Sequence, residues 1–171
     1  MESAAPIPVT DLPLDEQTRD LADAAATRSL GRWLAEAVAR RGPDRSEPAL
    51  LLLQGDLGAG KTCLVQGLAE GLAIAEPITS PSFALAQHYA GTPAAGRATR
   101  LVHLDLYRLE QPAAADELFA QEEEEARKAA AHDRVVMAVE WPERLSFQPE
   151  GAWLLRLEHR GESRRARWRA P

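Results

Sequence analysis

Residues 51–69, LLLQGDLGAGKTCLVQGLA, set Gly55, Gly60, Lys61 and Thr62 in the spacing G-x-x-x-x-G-K-T. Ahead of them, Ala49 to Leu53 is an unbroken apolar run between Pro48 and Gly55, which fits a strand covered on both faces of a parallel sheet. Behind them, Leu64, Val65, Leu68 and Leu72 recur at helical spacing over Thr62 to Leu72. A glycine loop between a strand and a helix is the setting in which this spacing cradles phosphates. A nucleoside triphosphate carries about four negative charges, and the N–H groups of such a loop hold them at the positive end of the helix. Gly55, Gly58 and Gly60 supply the bends. Lys61 is then expected to reach the β and γ phosphates, and the Thr62 hydroxyl to bind Mg²⁺. Only one other lysine, Lys128, exists in the chain, so a lysine inside this motif stands out from the background.

The rest of the chain agrees with an α/β fold. Leu30, Trp33, Leu34, Ala37 and Val38 give a one-faced helix over Thr27 to Arg41, stopped by Gly42 and Pro43. Strands are expected over Phe83 to Tyr89, Arg100 to Leu106 and Arg134 to Trp141. Ala113 to Ala131 is expected as a helix whose acidic run, Glu122 to Glu125, is solvated. Trp153 to His159 and Arg164 to Trp168 alternate at period two around RGES and predict a hairpin. The fold class is therefore a P-loop NTPase: three layers, a mostly parallel central sheet and a C-terminal antiparallel hairpin. At 171 residues one domain covers the chain, with residues 1–13, which hold Pro6, Pro8 and Pro13, as a loose lead-in.

Charge and composition narrow the function classes. A net charge of −6 argues against wrapping nucleic acid by bulk electrostatics, although residues 151–171 hold six arginines. The longest apolar run, Ala49 to Leu53, is five residues, against the roughly 20 that span a bilayer. The N-terminus has no basic and apolar leader, and a single cysteine, Cys63, makes no intrachain disulfide; a cytoplasmic protein is expected.

A phosphate cradle hydrolyses nothing by itself; carboxylates at neighbouring strand ends must manage metal and water. Asp105 ends LVHLDL and Glu140 ends VVMAVE, where ligands bind in open parallel sheets. Asp105 and Glu140, with Lys61, form the expected catalytic set. His103, on the face of Asp105, reads as a satisfied, semi-buried histidine. In TSPSF, Thr79 or Ser80 could sense the γ-phosphate from a loop fixed by Pro81. The absence of an Asn-Lys-x-Asp motif favours ATP over GTP.

GDLGAGKT, TSPSF, HLDLYRL and VEWPE, in this order and at these separations, resemble the bacterial tRNA threonylcarbamoyladenosine biosynthesis ATPases of the TsaE (YjeE) type. The likeness spans roughly Thr27 to Arg167. It implies an ATP- and Mg²⁺-dependent ATPase acting with a TsaD-type transferase and a TsaB-type protein to modify adenosine 37 of tRNA. It implies that Gly58 to Thr62, Ala59 included, cradles the phosphates, that Thr62 and Glu140 ligate Mg²⁺ and that Asp105 supports hydrolysis. It also brings Thr27 and a late arginine, Arg164, to the nucleotide, with Arg165 or Arg167 as register alternatives. Ser82 and Cys63 stand where the family commonly has threonine, and the acidic LFAQEEEEARKAAAHD departs from its pattern. Two other classes share the P-loop: a small-metabolite kinase, and a nucleotide-gated adapter with negligible turnover.

Overall fold

The protein, described here as a computed structural model, is laid out over residues 16–41, 46–81 and 83–171. The lead-in at 1–13, the helix stop at Gly42 and Pro43, and Ser82 lie outside the described residues. In chain order the elements are β1 Gln17–Leu21, α1 Ala24–Arg41, β2 Ala49–Gln54, α2 Lys61–Gly71, β3 Ala86–Gly91, β4 Thr99–Asp105, α3 Pro112–Ala130, β5 Arg134–Glu140, β6 Trp153–Arg160 and β7 Ser163–Arg169, with a 3₁₀ turn at Pro142–Arg144. The seven strands make one sheet in the order β1-β7-β6-β2-β5-β4-β3. Its central four strands, β6, β2, β5 and β4, are parallel. The outer pairings, the expected C-terminal hairpin among them, are antiparallel.

The unbroken apolar run of β2 is explained by its position. Leu51 and Leu53 pack with α1 and α2 on one face, while Leu50 and Leu52 pack with α3 on the other. A central parallel strand is covered on both sides, so Leu50 to Leu53 are all buried and only its two ends are partly open. The same division sends Val136 and Ala138 of β5 to the first face and Val135, Met137 and Val139 to the second. The three layers expected from the sequence are therefore α1 and α2, the sheet, and α3.

The first two helices touch backbone to backbone. A Cβ built on Gly67 would lie 2.1 Å from the Arg28 carbonyl oxygen, and one on Gly31 2.3 Å from that of Leu64. Backbone cannot step aside as a side-chain tip can. Gly67→Ala is therefore expected to destabilise the fold by about 3 kcal/mol or more, at the upper end of overpacking costs. Urea unfolding checks this; a loss below about 1 kcal/mol would mean that α1 and α2 slide apart freely.

Three elements differ from the sequence reading. Helix α1 begins at Ala24 rather than Thr27 because the Asp23 Oδ1 accepts the Ala26 N–H at 2.8 Å and caps the first turn. Strand β3 begins at Ala86, not Phe83. Leu85 has φ 62° and donates its N–H to the Pro81 carbonyl at 3.0 Å, which turns the chain before it can pair. Strand β1 carried no readable signal, since Leu21 is its one buried residue and the edge pairs with β7 through backbone and an Arg165–Asp20 ion pair at 2.7 Å. The Glu122–Glu125 run is only half solvated: Glu122 meets His88 at 2.6 Å and Glu123 meets Arg127 at 3.1 Å.

Candidate functional site

Three adjacent parallel strands end together. Gln54 closes β2 and leads into the glycine loop; Glu140 closes β5 and is paired in register with both Leu53 of β2 and Asp105, the last residue of β4. Strand parity puts His103, Asp105, Ala138 and Glu140 on the face that carries α1 and α2. The loop, both carboxylates and one imidazole thus gather at the carboxyl edge of the sheet, where doubly wound α/β folds bind ligands.

The loop bends as phosphate cradles require. Gly60 has φ 103° and stands at the start of α2; Gly55 has φ 155°, and a Cβ there would come 2.7 Å from the Leu157 carbonyl oxygen. A side chain is blocked by backbone at Gly55 and strained by the positive φ at Gly60. The Ala59 N–H donates to the Asp56 carbonyl at 3.0 Å and holds the curl. Lys61, buried, folds back over the loop: its Nζ donates to the Gly55 carbonyl and, at 3.0 Å, to that of Asp56. The ammonium also lies 4.5 Å from the centre of the Trp141 ring. Burial pulls the Lys61 pKa below the ordinary lysine range, against the opposing pull of Glu140, Glu143, Asp105 and Asp56. Those acids favour the charged form and offset part of the cost of burying it.

The Thr62 hydroxyl, one residue on, reaches Glu140 Oε2 at 3.5 Å, and the same oxygen lies 2.5 Å from His103 Nε2. Glu140 and His103 are 3% and 0% exposed. His103 is therefore fully buried, not semi-buried as expected, and one of its nitrogens, Nδ1, has no hydrogen-bond partner among the described residues. Asp105 is more open. It accepts the Tyr107 N–H at 3.0 Å and the Ser80 hydroxyl at 3.3 Å. Of Thr79 and Ser80 in the TSPSF loop, Ser80 is the one that reaches a site carboxylate, while Thr79 lies exposed beside it.

From the other side come α1 and the hairpin. Thr27, buried in the first turn of α1, donates its hydroxyl to the Asp23 carbonyl at 3.3 Å, with its methyl 3.7 Å from where a Gly60 Cβ would stand. Arg164 reaches the glycine loop itself, donating to the Gly58 carbonyl at 3.3 Å. The two alternative arginines face elsewhere, Arg165 to Asp20 and Arg167 to Glu158. Alternation on β7 separates them: Ala166 and Trp168 share the parity of Arg164 and sit in the α1–α2 core.

Two further side chains flank the site. Trp141 holds φ 58° at the turn that follows Glu140, an uncommon conformation for an aromatic residue, and its ring lies 4.8 Å from that of Tyr107, the planes tilted by 46°. Glu143 lies half-buried in the next turn, its Oε2 without a partner among the described residues, and burial raises its pKa despite the Lys61 charge. A carboxyl whose folded pKa is raised favours the fold while protonated and loses that contribution as pH climbs from the unfolded toward the folded value. Glu143→Gln is accordingly expected to raise the urea midpoint at pH 7 and leave it near wild type at pH 4. Equal midpoint changes at both values would contradict a burial cost on the ionised form.

The donor set at this edge is hard oxygen, a hydroxyl and a carboxylate, and among the described residues there is no cluster of three or more His, Cys, Asp or Glu placed to cage an ion. Such a pair suits Mg²⁺, which keeps water and takes phosphate oxygens in place of a full protein cage. No helix of the described residues is long and apolar enough to cross a membrane.

Comparison with known proteins gives one answer. The family described as threonylcarbamoyl adenosine biosynthesis protein TsaE matches residues 21–167. A curated tRNA threonylcarbamoyladenosine biosynthesis protein TsaE of Nostoc sp. is 39% identical over 142 residues, 82% of this chain and 78% of that one. The TsaE of Synechocystis sp. is 40% identical over 129 residues, 75% and 72% of the two chains. Among solved structures, Bacillus subtilis YdiB superposes with a TM-score of 0.61 over 94% of this chain and 88% of that one at 22% identity, a likeness of fold. With a family match running from the last residue of β1 to the middle of β7, the chain belongs to the TsaE family of threonylcarbamoyl adenosine biosynthesis proteins.

Proposed function

We propose that this chain binds ATP with Mg²⁺, hydrolyses it, and through that cycle serves tRNA N6-threonylcarbamoyladenosine formation together with a TsaD-type transferase and a TsaB-type protein. The reading is supported above all by one convergence: the ends of β2, β5 and β4 bring Lys61, Thr62, Glu140 and Asp105 to a single edge of the sheet. Backbone N–H groups from Gly58 to Thr62 hold the phosphates, and Lys61 leaves its loop carbonyls to meet them. Thr62 and Glu140 hold the Mg²⁺, which would neutralise charge developing on the phosphoryl oxygens. Asp105, oriented by the Tyr107 N–H and the Ser80 hydroxyl, positions the attacking water. Thr27 and Arg164 flank the loop on its far side and contact the nucleotide there. Thr79, beside Ser80, would respond to the γ-phosphate. The site works in the cytoplasm, with tRNA reached through the partners.

The direct test follows phosphate release from ATP by the full chain, alone and with the two partner proteins, with Mg²⁺ and with EDTA. Turnover that needs Mg²⁺ and rises on adding the partners is expected. Turnover that starts only when a small phosphoryl acceptor is supplied would point to a kinase instead.

A further inference from the structure

We infer that His103 is a positioning residue for the cation site: its Nε2–H holds Glu140 Oε2 and so fixes the carboxylate that faces Thr62. The inference rests on the reading of Glu140 as a metal ligand proposed above. His103 lies on β4 two residues before Asp105, is 0% exposed, and stands with Nε2 2.5 Å from Glu140 Oε2. That oxygen is also the one 3.5 Å from the Thr62 hydroxyl. A single imidazole bond therefore ties down the oxygen around which the hydroxyl and carboxylate are arranged.

A histidine that served only to fill the core would be a poor choice here. Leu101, two residues earlier on the same strand face, is equally buried and fills its space without the cost of an imidazole. The unpartnered Nδ1 shows which bond the site is built around. The Nε2–H tautomer donates to the carboxylate and leaves only a lone pair unmatched. The other tautomer would bury an N–H without an acceptor, which is the more expensive omission. From this network we assign the proton to Nε2. The carboxylate, held by one oxygen, keeps its remaining lone pairs for the cation, and its orientation no longer has to be selected when the metal arrives. Partners of this kind around ligating carboxylates change metal affinity by roughly 10- to 100-fold when removed.

The test measures Mn²⁺ affinity by electron paramagnetic resonance in the full chain saturated with a non-hydrolysable ATP analogue, beside analogue affinity in EDTA. His103→Leu, close in size and without the donor, is expected to weaken Mn²⁺ about 10- to 100-fold while metal-free analogue binding stays at wild type. His103→Gln, whose amide N–H can take the place of Nε2–H, is expected to recover most of the loss. His103→Asn, too short to reach Glu140, is not. Wild-type Mn²⁺ affinity in His103→Leu overturns the role. Should that variant fail to fold, equal affinities in the Gln and Asn variants overturn it as well. Glu140→Gln separates this inference from the one beneath it. If that variant loses Mn²⁺ while His103→Leu does not, His103 alone falls; if Glu140→Gln binds Mn²⁺ as wild type, the ligand assignment falls and His103 with it.

Discussion

Glu140→Gln is expected to lower Mg²⁺-dependent ATP turnover about 10²- to 10³-fold, the usual cost of removing one group that stabilises charge in a transition state. The substitution keeps the volume of a side chain that is 3% exposed and leaves an amide oxygen for the His103 N–H, so the fold is retained. What disappears is the negative charge at the end of β5, 3.5 Å from Thr62. Nucleotide affinity without metal is expected to stay within a few-fold of wild type, because the loop N–H groups proposed to hold the phosphates belong to another element. The same variant separates hydrolysis from mere occupancy. A chain that only docks on its partners when ATP is bound would still support adenosine modification with Gln at 140; one that must hydrolyse would not. Phosphate release and formation of the modified nucleoside, measured on one preparation, check both statements, and unchanged release would contradict the role given to Glu140.

The second large effect is expected from Lys61→Met, and its direction differs between two measurements. Burial lowers the Lys61 pKa, so the folded chain holds this ammonium at a cost that Met, of similar length and apolar, does not carry. The ligand-free variant is expected to unfold at the same urea concentration as wild type or a higher one. Its affinity for ATP is expected to fall about 100-fold, near 2.7 kcal/mol, through loss of the charge-assisted bonds to the phosphates. A site that trades stability for binding shows this opposition. Calorimetric titration beside a denaturation curve decides it. Loss of stability with unchanged ATP affinity would make Lys61 a structural residue, tied to the Gly55 and Asp56 carbonyls for the sake of the loop.

Signals written locally were legible in the sequence. The apolar run of β2, the glycine spacing and the periodicity of α2 each depend on neighbours in the chain, and the structure holds them together as β2 Ala49–Gln54 and α2 Lys61–Gly71. The strand-end acids Asp105 and Glu140 were visible for the same reason, since each closes an apolar run. What escaped depends on register between distant strands. His103 meets Glu140, 37 positions further along the chain, only because β4 and β5 pair Asp105 with Glu140, a register the sequence does not display. Which arginine faces the loop was open for a related reason. Period two in β7 separates Arg164 from Arg165 without saying which side is which, and the answer comes from the pairing of Arg165 with Asp20 on β1, an edge strand too polar to leave a pattern. The late start of β3 turns on Leu85 adopting φ 62°, which a leucine does not announce.

The central claim is that Lys61, Thr62 and Glu140 grip a magnesium-bound triphosphate at the carboxyl edge of the sheet. A crystal structure of the full chain with Mg²⁺ and a non-hydrolysable ATP analogue tests it most directly. The account predicts that Lys61 Nζ has left the carbonyls of Gly55 and Asp56 for a phosphate oxygen, with the cation on the Thr62 hydroxyl and beside the Glu140 carboxylate. An analogue bound while Lys61 still rests on those carbonyls, or a cation remote from Glu140, would contradict it.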